Sequence, residues 1–159
     1  MATGAASASA APANSAAANA AGNAATLSGA SICYQAHIQD EGWLGWACDG
    51  QAAGSVGLSL RLEALKINVV GTGTVCAQAH VQKLGWTTKK CTSGPDITIG
   101  TTGRSLAIQA IRLWREDAEI GADAHLHGTG WQGWRTGNYI EVGTTGESRP
   151  MEAIEIAVE

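Results

Sequence analysis

The sequence predicts an all-β domain built from three repeats, and three observations support this. A triplet of alanine, histidine and an aliphatic residue, followed by glycine and tryptophan, occurs around His37, His80 and His125, at intervals of 43 and 45 residues. A second motif, Gly-x-x-Gly-x-Ser with an alternating tail, follows each triplet in the same register. No segment shows the period of an amphipathic helix. Because one repeat cannot bury its own apolar face, the three are expected to pack around a pseudo-threefold axis.

Each repeat is interpreted as four short strands. In the first repeat, the triplet and the segment after Gly42 form a hairpin with its turn at residues 39–42, and the turn signal Asp49-Gly50 precedes a third strand. The apolar pattern of the tail changes phase between Leu62 and Leu65, which predicts a β-bulge at Glu63-Ala64. Three repeats give about twelve short strands. We expect a β-prism-like arrangement, with a β-trefoil as the alternative.

A change in composition divides the chain near residue 31. Residues 1–31 are rich in alanine, serine and asparagine and offer nothing large to bury, which predicts a disordered leader or linker. This stretch lacks the basic start and leucine-rich core of a signal peptide. Residues 32–158 are expected to form one domain, with repeats at 32–70, 74–115 and 120–158. No run approaches the roughly 18 apolar residues of a membrane span, so membrane insertion is not expected.

The order of the motifs is specific enough to indicate a family. It reads Ala-His-[Ile/Val/Leu], Gly-Trp, Gly-[Thr/Ser]-[Thr/Val]-Gly-x-Ser and a Glu-Ala-[Leu/Ile] strand. This order resembles the ChW repeat, named for clostridial hydrophobic repeats with a conserved tryptophan, across residues 32–158. The resemblance implies a secreted or cell-surface bacterial protein with a presumed role in binding polysaccharide, cell wall or protein. The sequence departs from the pattern at Gln109 (Glu63 and Glu152 elsewhere), at Lys89 (Trp46 and Trp134 elsewhere) and at Arg149-Pro150.

The four cysteines form two pairs with the same spacing of 15 residues, Cys33 with Cys48 and Cys76 with Cys91. The third repeat has Gly121 and Thr136 at these positions, so both members of a pair are missing together. Of the three possible connectivities, only these two pairings respect the repeat. The alternative is that all four cysteines are free, buried thiols, but free cysteines would have no reason to be lost in pairs. The predicted disulfides indicate an oxidising, extracellular location.

The first predicted disulfide also fixes the register of its hairpin. It places Gln35 opposite Trp46 and His37 opposite Leu44. Strand alternation then puts the tryptophan of each Gly-Trp motif on the same side as the apolar residues of the triplet. On this basis the predicted core includes Trp43, Trp86 and Trp131. The opposite face mixes polar and aromatic residues and is predicted to be surface.

The candidate ligand-binding residues lie on this mixed face in the first and third repeats. A tryptophan beside a histidine offers an apolar platform for a pyranose ring, with polar groups to fix its hydroxyls. Ordinary packing onto a neighbouring strand is the alternative interpretation. The residues assigned to the site are Trp46, His37, Gln35, Trp134, His125 and Gln132.

No catalytic, metal or cofactor site is predicted. Glu63 and Glu152 are repeat-equivalent and therefore expected to lie far apart, so a structural role at the bulge is favoured over an acid and base pair. Alternation places the three repeat histidines away from the threefold axis, which favours hydrogen bonding over metal binding. A net charge of −4 argues against nucleic acid as a partner.

The sequence therefore predicts a non-catalytic, secreted or cell-surface binding module. Its expected partner is a polysaccharide or cell-wall glycan, bound in a lectin-like manner. The alternative is a protein-interaction or assembly module of an extracellular complex.

Overall fold

The computed structural model describes residues 29–158, so the first 28 residues of the predicted leader lie outside the described part. Residues 29–158 form fourteen β-strands in three antiparallel sheets and contain no helix. The first repeat contains β1 (Ser31–Ile38), β2 (Gly42–Cys48), β3 (Ala52–Gly54) and β4 (Leu62–Val70). The second contains β5 (Val75–Val81), β6 (Gly85–Trp86), β7 (Lys90–Thr92), β8 (Ile97–Gly100) and β9 (Ile108–Arg115). The third contains β10 (Ile120–Leu126), β11 (Gly130–Trp131), β12 (Arg135–Gly137), β13 (Tyr139–Gly143) and β14 (Met151–Val158).

The all-β, three-repeat prediction is confirmed, with two more strands than expected. The extra strands arise because the second arm of the hairpin is continuous in the first repeat but interrupted in the other two. There it forms β6 and β7, which both pair with β5, and β11 and β12, which both pair with β10.

Each sheet is completed by a short strand from another repeat. Sheet 1 has the order β2-β1-β4-β8, sheet 2 the order β13-β9-β5-β6, and sheet 3 the order β11-β10-β14-β3. The first repeat thus contributes β3 to sheet 3, the second contributes β8 to sheet 1, and the third contributes β13 to sheet 2. This exchange forms a closed cycle. Three separate sheets agree with the prism arrangement and not with the barrel of a trefoil.

The inner faces of the three sheets share one hydrophobic core. Along β1, burial alternates strictly, with Ile32, Tyr34, Ala36 and Ile38 buried and the residues between them partly exposed. The same alternation runs along β5. The core cluster contains side chains from all three repeats, so burial of apolar surface, the main source of stability, is shared by the whole domain.

The predicted bulge is present in every tail strand. In the first repeat His37 pairs with Ala64 while Ile38 pairs with Leu62, so Glu63 is the extra residue. The same shift isolates the equivalent residues Gln109 and Glu152 in the other two repeats. The change of apolar phase in the sequence therefore located this bulge correctly.

A second irregularity makes the prediction of a tryptophan core wrong. Gln35 pairs with Trp46 as expected, but the register then shifts, so that His37 pairs with Trp43 and not with Leu44. A slip of one residue moves a side chain to the opposite face of the sheet. The repeat tryptophans consequently lie on the outer faces, with Trp43 and Trp86 half-buried and Trp131 37% exposed. Leu44 packs against the core instead.

The two predicted disulfides are both formed, Cys33 with Cys48 and Cys76 with Cys91. Each joins directly paired residues at the edge of a hairpin, on the outer face of sheet 1 or sheet 2. The predicted turn at residues 39–42 is also present, between the end of β1 and the start of β2.

Candidate functional site

Each sheet carries the same unit of three side chains on its outer face. The histidine of the triplet contacts the residue extruded by the bulge, with Nδ1 lying 3.1 Å from Glu63 Oε1, 3.1 Å from Gln109 Oε1 and 3.0 Å from Glu152 Oε1 in the three repeats. The tryptophan opposite packs edge-to-face against the imidazole, at 5.0 to 5.2 Å between ring centroids. The expected hydrogen-bonding role of the histidines is therefore present in every repeat.

The carboxylates of these units are buried and fully engaged. The second oxygen of Glu63 accepts a hydrogen bond from Arg61 Nε at 2.9 Å, and the second oxygen of Glu152 lies 3.0 Å from His127 Nδ1. Both glutamates are about 5% exposed or less. A buried carboxylate needs such partners to offset its lost hydration. Gln109 fills the same place with a neutral amide, so a charge is not required to build the unit.

The outer ring faces of the three tryptophans differ in what covers them. Lys66 Nζ lies 4.4 Å from the ring centroid of Trp43, and Arg112 Cζ lies 3.7 Å from that of Trp86. The third repeat has Glu155 at this position. Among the described residues no cation lies over Trp131.

Two tryptophans of the predicted ligand site are exposed on the outer faces. Trp46 on sheet 1 is 39% exposed and Trp134 on sheet 3 is 46% exposed. In the second repeat the equivalent residue is Lys89, whose Nζ lies 4.4 Å from the ring centroid of Trp114. Each outer face therefore presents an aromatic ring near this position.

Trp114 is a site residue that sequence reasoning missed. Its ring lies 5.1 Å from that of Tyr139, which reaches sheet 2 on the exchanged strand β13. Alternation with Arg112 along β9 would have assigned Trp114 to the outer face. Its proximity to Tyr139 could not be predicted, because the two residues are brought together by strand exchange.

A cavity of about 400 Å³ adjoins this aromatic pair. Its volume lies within the range of small-ligand sites. The residues lining it are Thr74, Cys76, Lys89, Trp114, Arg115, Glu116, Asn138 and Tyr139. The cavity thus combines an aromatic wall with hydrogen-bonding and charged groups, and it lies beside the second disulfide.

In the third repeat, Trp134 lies over the strand position that carries a cysteine in the other two repeats. Gly121 occupies the position of the first cysteine, and a Cβ atom there would lie only 2.7 Å from Nε1 of Trp134. The indole ring therefore covers the strand at the point where the other repeats carry their disulfide.

Both glutamines of the predicted ligand site form hydrogen bonds with backbone groups of the domain. Gln35 Nε2 donates a hydrogen bond to the Leu44 carbonyl at 2.7 Å, within the irregular part of the hairpin. Gln132 accepts a hydrogen bond from the Gly143 N–H at 2.7 Å and donates one to the Gly143 carbonyl at 3.4 Å. These two bonds hold the end of β13 beside the segment between β11 and β12. The six predicted residues form two separate sets: Gln35, His37 and Trp46 on sheet 1, and His125, Gln132 and Trp134 on sheet 3.

The described part of the chain offers neither a metal cluster nor a membrane-spanning helix. Residues 29–158 contain no group of three histidine, cysteine, aspartate or glutamate side chains that could hold a metal ion. Within the same residues no helix is long and apolar enough to cross a membrane.

Three sheets linked by exchanged strands, two disulfides and a tryptophan-histidine unit on every outer face define a three-repeat, disulfide-bonded β module. The family model described as ChW, Clostridial hydrophobic W, matches residues 37–71, 80–117 and 125–159, more than half of the chain. The chain therefore belongs to the ChW family. It matches no curated protein and no solved structure.

Proposed function

We propose that this domain is a non-catalytic, secreted or cell-surface module that binds carbohydrate through its outer faces. The observation that carries this proposal is the exposure of Trp46 and Trp134 at equivalent positions of two polar sheet surfaces. Exposed aromatic rings provide flat apolar area for the faces of sugar rings, while neighbouring polar groups bind the hydroxyls.

The surroundings of these rings fit the same chemistry. On sheet 1, Trp46 lies in a cross-strand row with Gln35, Lys66 and Thr98. On sheet 2, Trp114 and Tyr139 border the 400 Å³ cavity together with Asn138 and Lys89. Several such positions on one domain would allow a repeating glycan to bind at more than one of them, which raises the overall affinity.

The arrangement of the carboxylates supports a non-catalytic role. A glycosidase uses two carboxyl groups facing one sugar. Glu63 and Glu152 lie on different sheets, are buried, and are each occupied by a repeat histidine and a second basic group.

The disulfides support an extracellular location. All four cysteines are paired, which is compatible with an extracellular protein because disulfides persist in oxidising compartments.

A glycan array with peptidoglycan fragments and plant polysaccharides tests the proposal. We expect the native protein to bind, the double variant Trp46→Ala, Trp134→Ala to bind more weakly, and the addition of Trp114→Ala to remove binding. Leu84→Ala, which removes an equally exposed apolar side chain from a hairpin turn, is the matched control. Undiminished binding by a folded triple variant would contradict the assignment of the tryptophans. Absence of binding to every glycan by the native protein would contradict the proposal itself.

One observation favours protein interaction as a second candidate function. The loop between β3 and β4 exposes Val56 and Leu58, at 51% and 65%. The corresponding residues are Thr102 and Arg104 in the second repeat and Thr145 and Glu147 in the third, so the apolar tip belongs to the first repeat alone. If this loop mediates assembly, the variant Val56→Thr, Leu58→Arg should lower self-association in sedimentation experiments and leave glycan binding unchanged. A monomeric native protein would argue against self-assembly.

A further inference from the structure

The ring of Trp131 packs against a histidine as its two equivalents do, but it has no cation over it among the described residues. It packs against His125 at 5.2 Å and 79°, while Trp43 and Trp86 pack against their histidines at 5.0 and 5.1 Å and at 79° and 78°. The orientation of the indole is therefore the same on all three sheets. Trp43 and Trp86 have a cation of their own sheet over the ring. Trp131 lacks one among the described residues and is 37% exposed.

The residue at the position of the missing cation carries the opposite charge. Glu155 takes the place of Lys66 and Arg112, and its partner across the sheet is Asp123, where the other repeats have glutamine. Within residues 29–158 neither carboxylate forms an ion pair. Asp123 accepts a hydrogen bond from the Gly133 N–H at 2.9 Å. Burial, with a smaller effect of Asp123, raises the pKa of Glu155, as expected for a carboxylate that has no ion-pair partner within residues 29–158.

We propose that Trp131 and Glu155, backed by Asp123, bind the cationic end of a lysine or arginine side chain supplied by another protein or peptide. Lys66 and Arg112 show the geometry inside this chain, since an ammonium and a guanidinium group each lie over the equivalent ring. A cation over the indole gains attraction from the ring face and from the carboxylates, which lie on one surface. This site differs in chemistry and in residues from the proposed glycan platforms.

The first test uses small probes on the intact, disulfide-bonded chain. The probes are the blocked amino acids N-acetyl-lysine methylamide and N-acetyl-arginine methylamide, with N-acetyl-norleucine methylamide as the uncharged control. Indole N–H signals are followed by NMR, and the signal of Trp131 is assigned with the variant Trp131→Phe. We expect the two cationic probes to shift this signal saturably, with Kd in the millimolar range typical of so small a contact. The signals of Trp43 and Trp86 should not move, because those rings are already covered.

The decisive variant is Glu155→Lys, which gives the third repeat the covering cation of the first. We expect it to weaken probe binding by about tenfold or more, since the new ammonium competes for the ring and reverses the local charge. Glu155→Gln keeps the shape of the side chain and should weaken binding to a smaller extent. An equal response to the norleucine probe, or unchanged binding by both folded variants, would overturn the proposal. Neither result depends on whether the domain binds glycans.

Discussion

At the scale of single residues, Tyr34 is a fully buried side chain that carries a polar group. Its hydroxyl contacts the Gln51 carbonyl and both backbone groups of Ile156, so it joins sheet 1 to sheet 3. The other repeats have Ala77 and Ala122 at this position. Burial raises the pKa of Tyr34 far above its usual range, which keeps the hydroxyl protonated and able to donate.

Replacing Tyr34 with phenylalanine should lower the free energy of unfolding by about 1 to 3 kcal/mol, because buried backbone groups lose their partner. Urea unfolding followed by circular dichroism measures the change. Tyr139→Phe is the control, since Tyr139 is 48% exposed and its replacement should have little effect. Equal stability of the Tyr34 variant and the native protein would show that the hydroxyl contributes nothing to sheet contact.

Glu155 gives a prediction about pH. Its pKa is raised in the folded state by burial and then by Asp123, so folding favours the protonated form and stability falls as pH rises from the usual glutamate pKa to the raised value. Glu155→Gln should therefore be more stable than the native protein at pH 7, and the difference should vanish near pH 3, where both side chains are neutral. Unfolding curves at the two pH values test this. The same difference for Glu155→Gln at both pH values would contradict the explanation.

At the scale of elements, each exchanged strand ends against the bulge of another repeat. Gly100, at the end of β8, pairs with Ala64, and the next residue, Thr101, donates its N–H to the Glu63 carbonyl at 2.9 Å. Equivalent bonds join Ser55 to Glu152 and Thr144 to Gln109. The first glycine of the Gly-x-x-Gly motif is thus the contact point between repeats, and the bulge is the surface that receives it.

This contact leaves no room for a side chain. Gly100 has a φ of +86°, and a Cβ atom would lie 2.5 Å from the Glu63 carbonyl oxygen. We expect Gly100→Ala to cost about 2 to 4 kcal/mol, since conformational strain and overpacking act together. Gly103 has a similar φ of +75°, but a Cβ atom there would have no neighbour within 4 Å, so Gly103→Ala should cost only about 1 kcal/mol of strain. Thermal unfolding of the pair separates the two effects, and equal losses would show that the close contact is unimportant.

At the scale of the whole molecule, exchange makes the three repeats mutually dependent. Sheet 3 has no disulfide of its own, yet it contains β3, which follows the disulfide-bonded hairpin of the first repeat. The hydrophobic core likewise contains side chains from all three repeats. A domain connected in this way should unfold as one cooperative unit.

Reduction of the two disulfides tests this dependence. Each closes a loop of about 15 residues and should contribute about 3 kcal/mol. Scanning calorimetry of the reduced protein should show a single transition at a lower temperature, with sheet 3 lost together with the other two. Two separated transitions in the heat-capacity curve, with one sheet still folded after the first, would contradict the cooperative description.

The sequence by itself determined the features that depend on local pattern and on repetition. Alternation predicted strands, the phase change predicted the bulge at Glu63, and paired loss of cysteines predicted both disulfides. Trp46 was correctly assigned to the outer face, because the disulfide fixes the register next to it, and Trp134 is exposed at the equivalent position of the third repeat.

Tertiary structure decided two kinds of feature: those that depend on strand register away from the disulfide, and those that depend on strand exchange. The irregularity between Gln35 and His37 turns Trp43 outward, and no local pattern marks it, since tryptophan packs well on either face of a sheet. The exchanged β13 places Tyr139 beside Trp114, although the two belong to different repeats. A repeat specifies its own strands, but which neighbouring sheet a short strand joins is decided by the packing of the complete core.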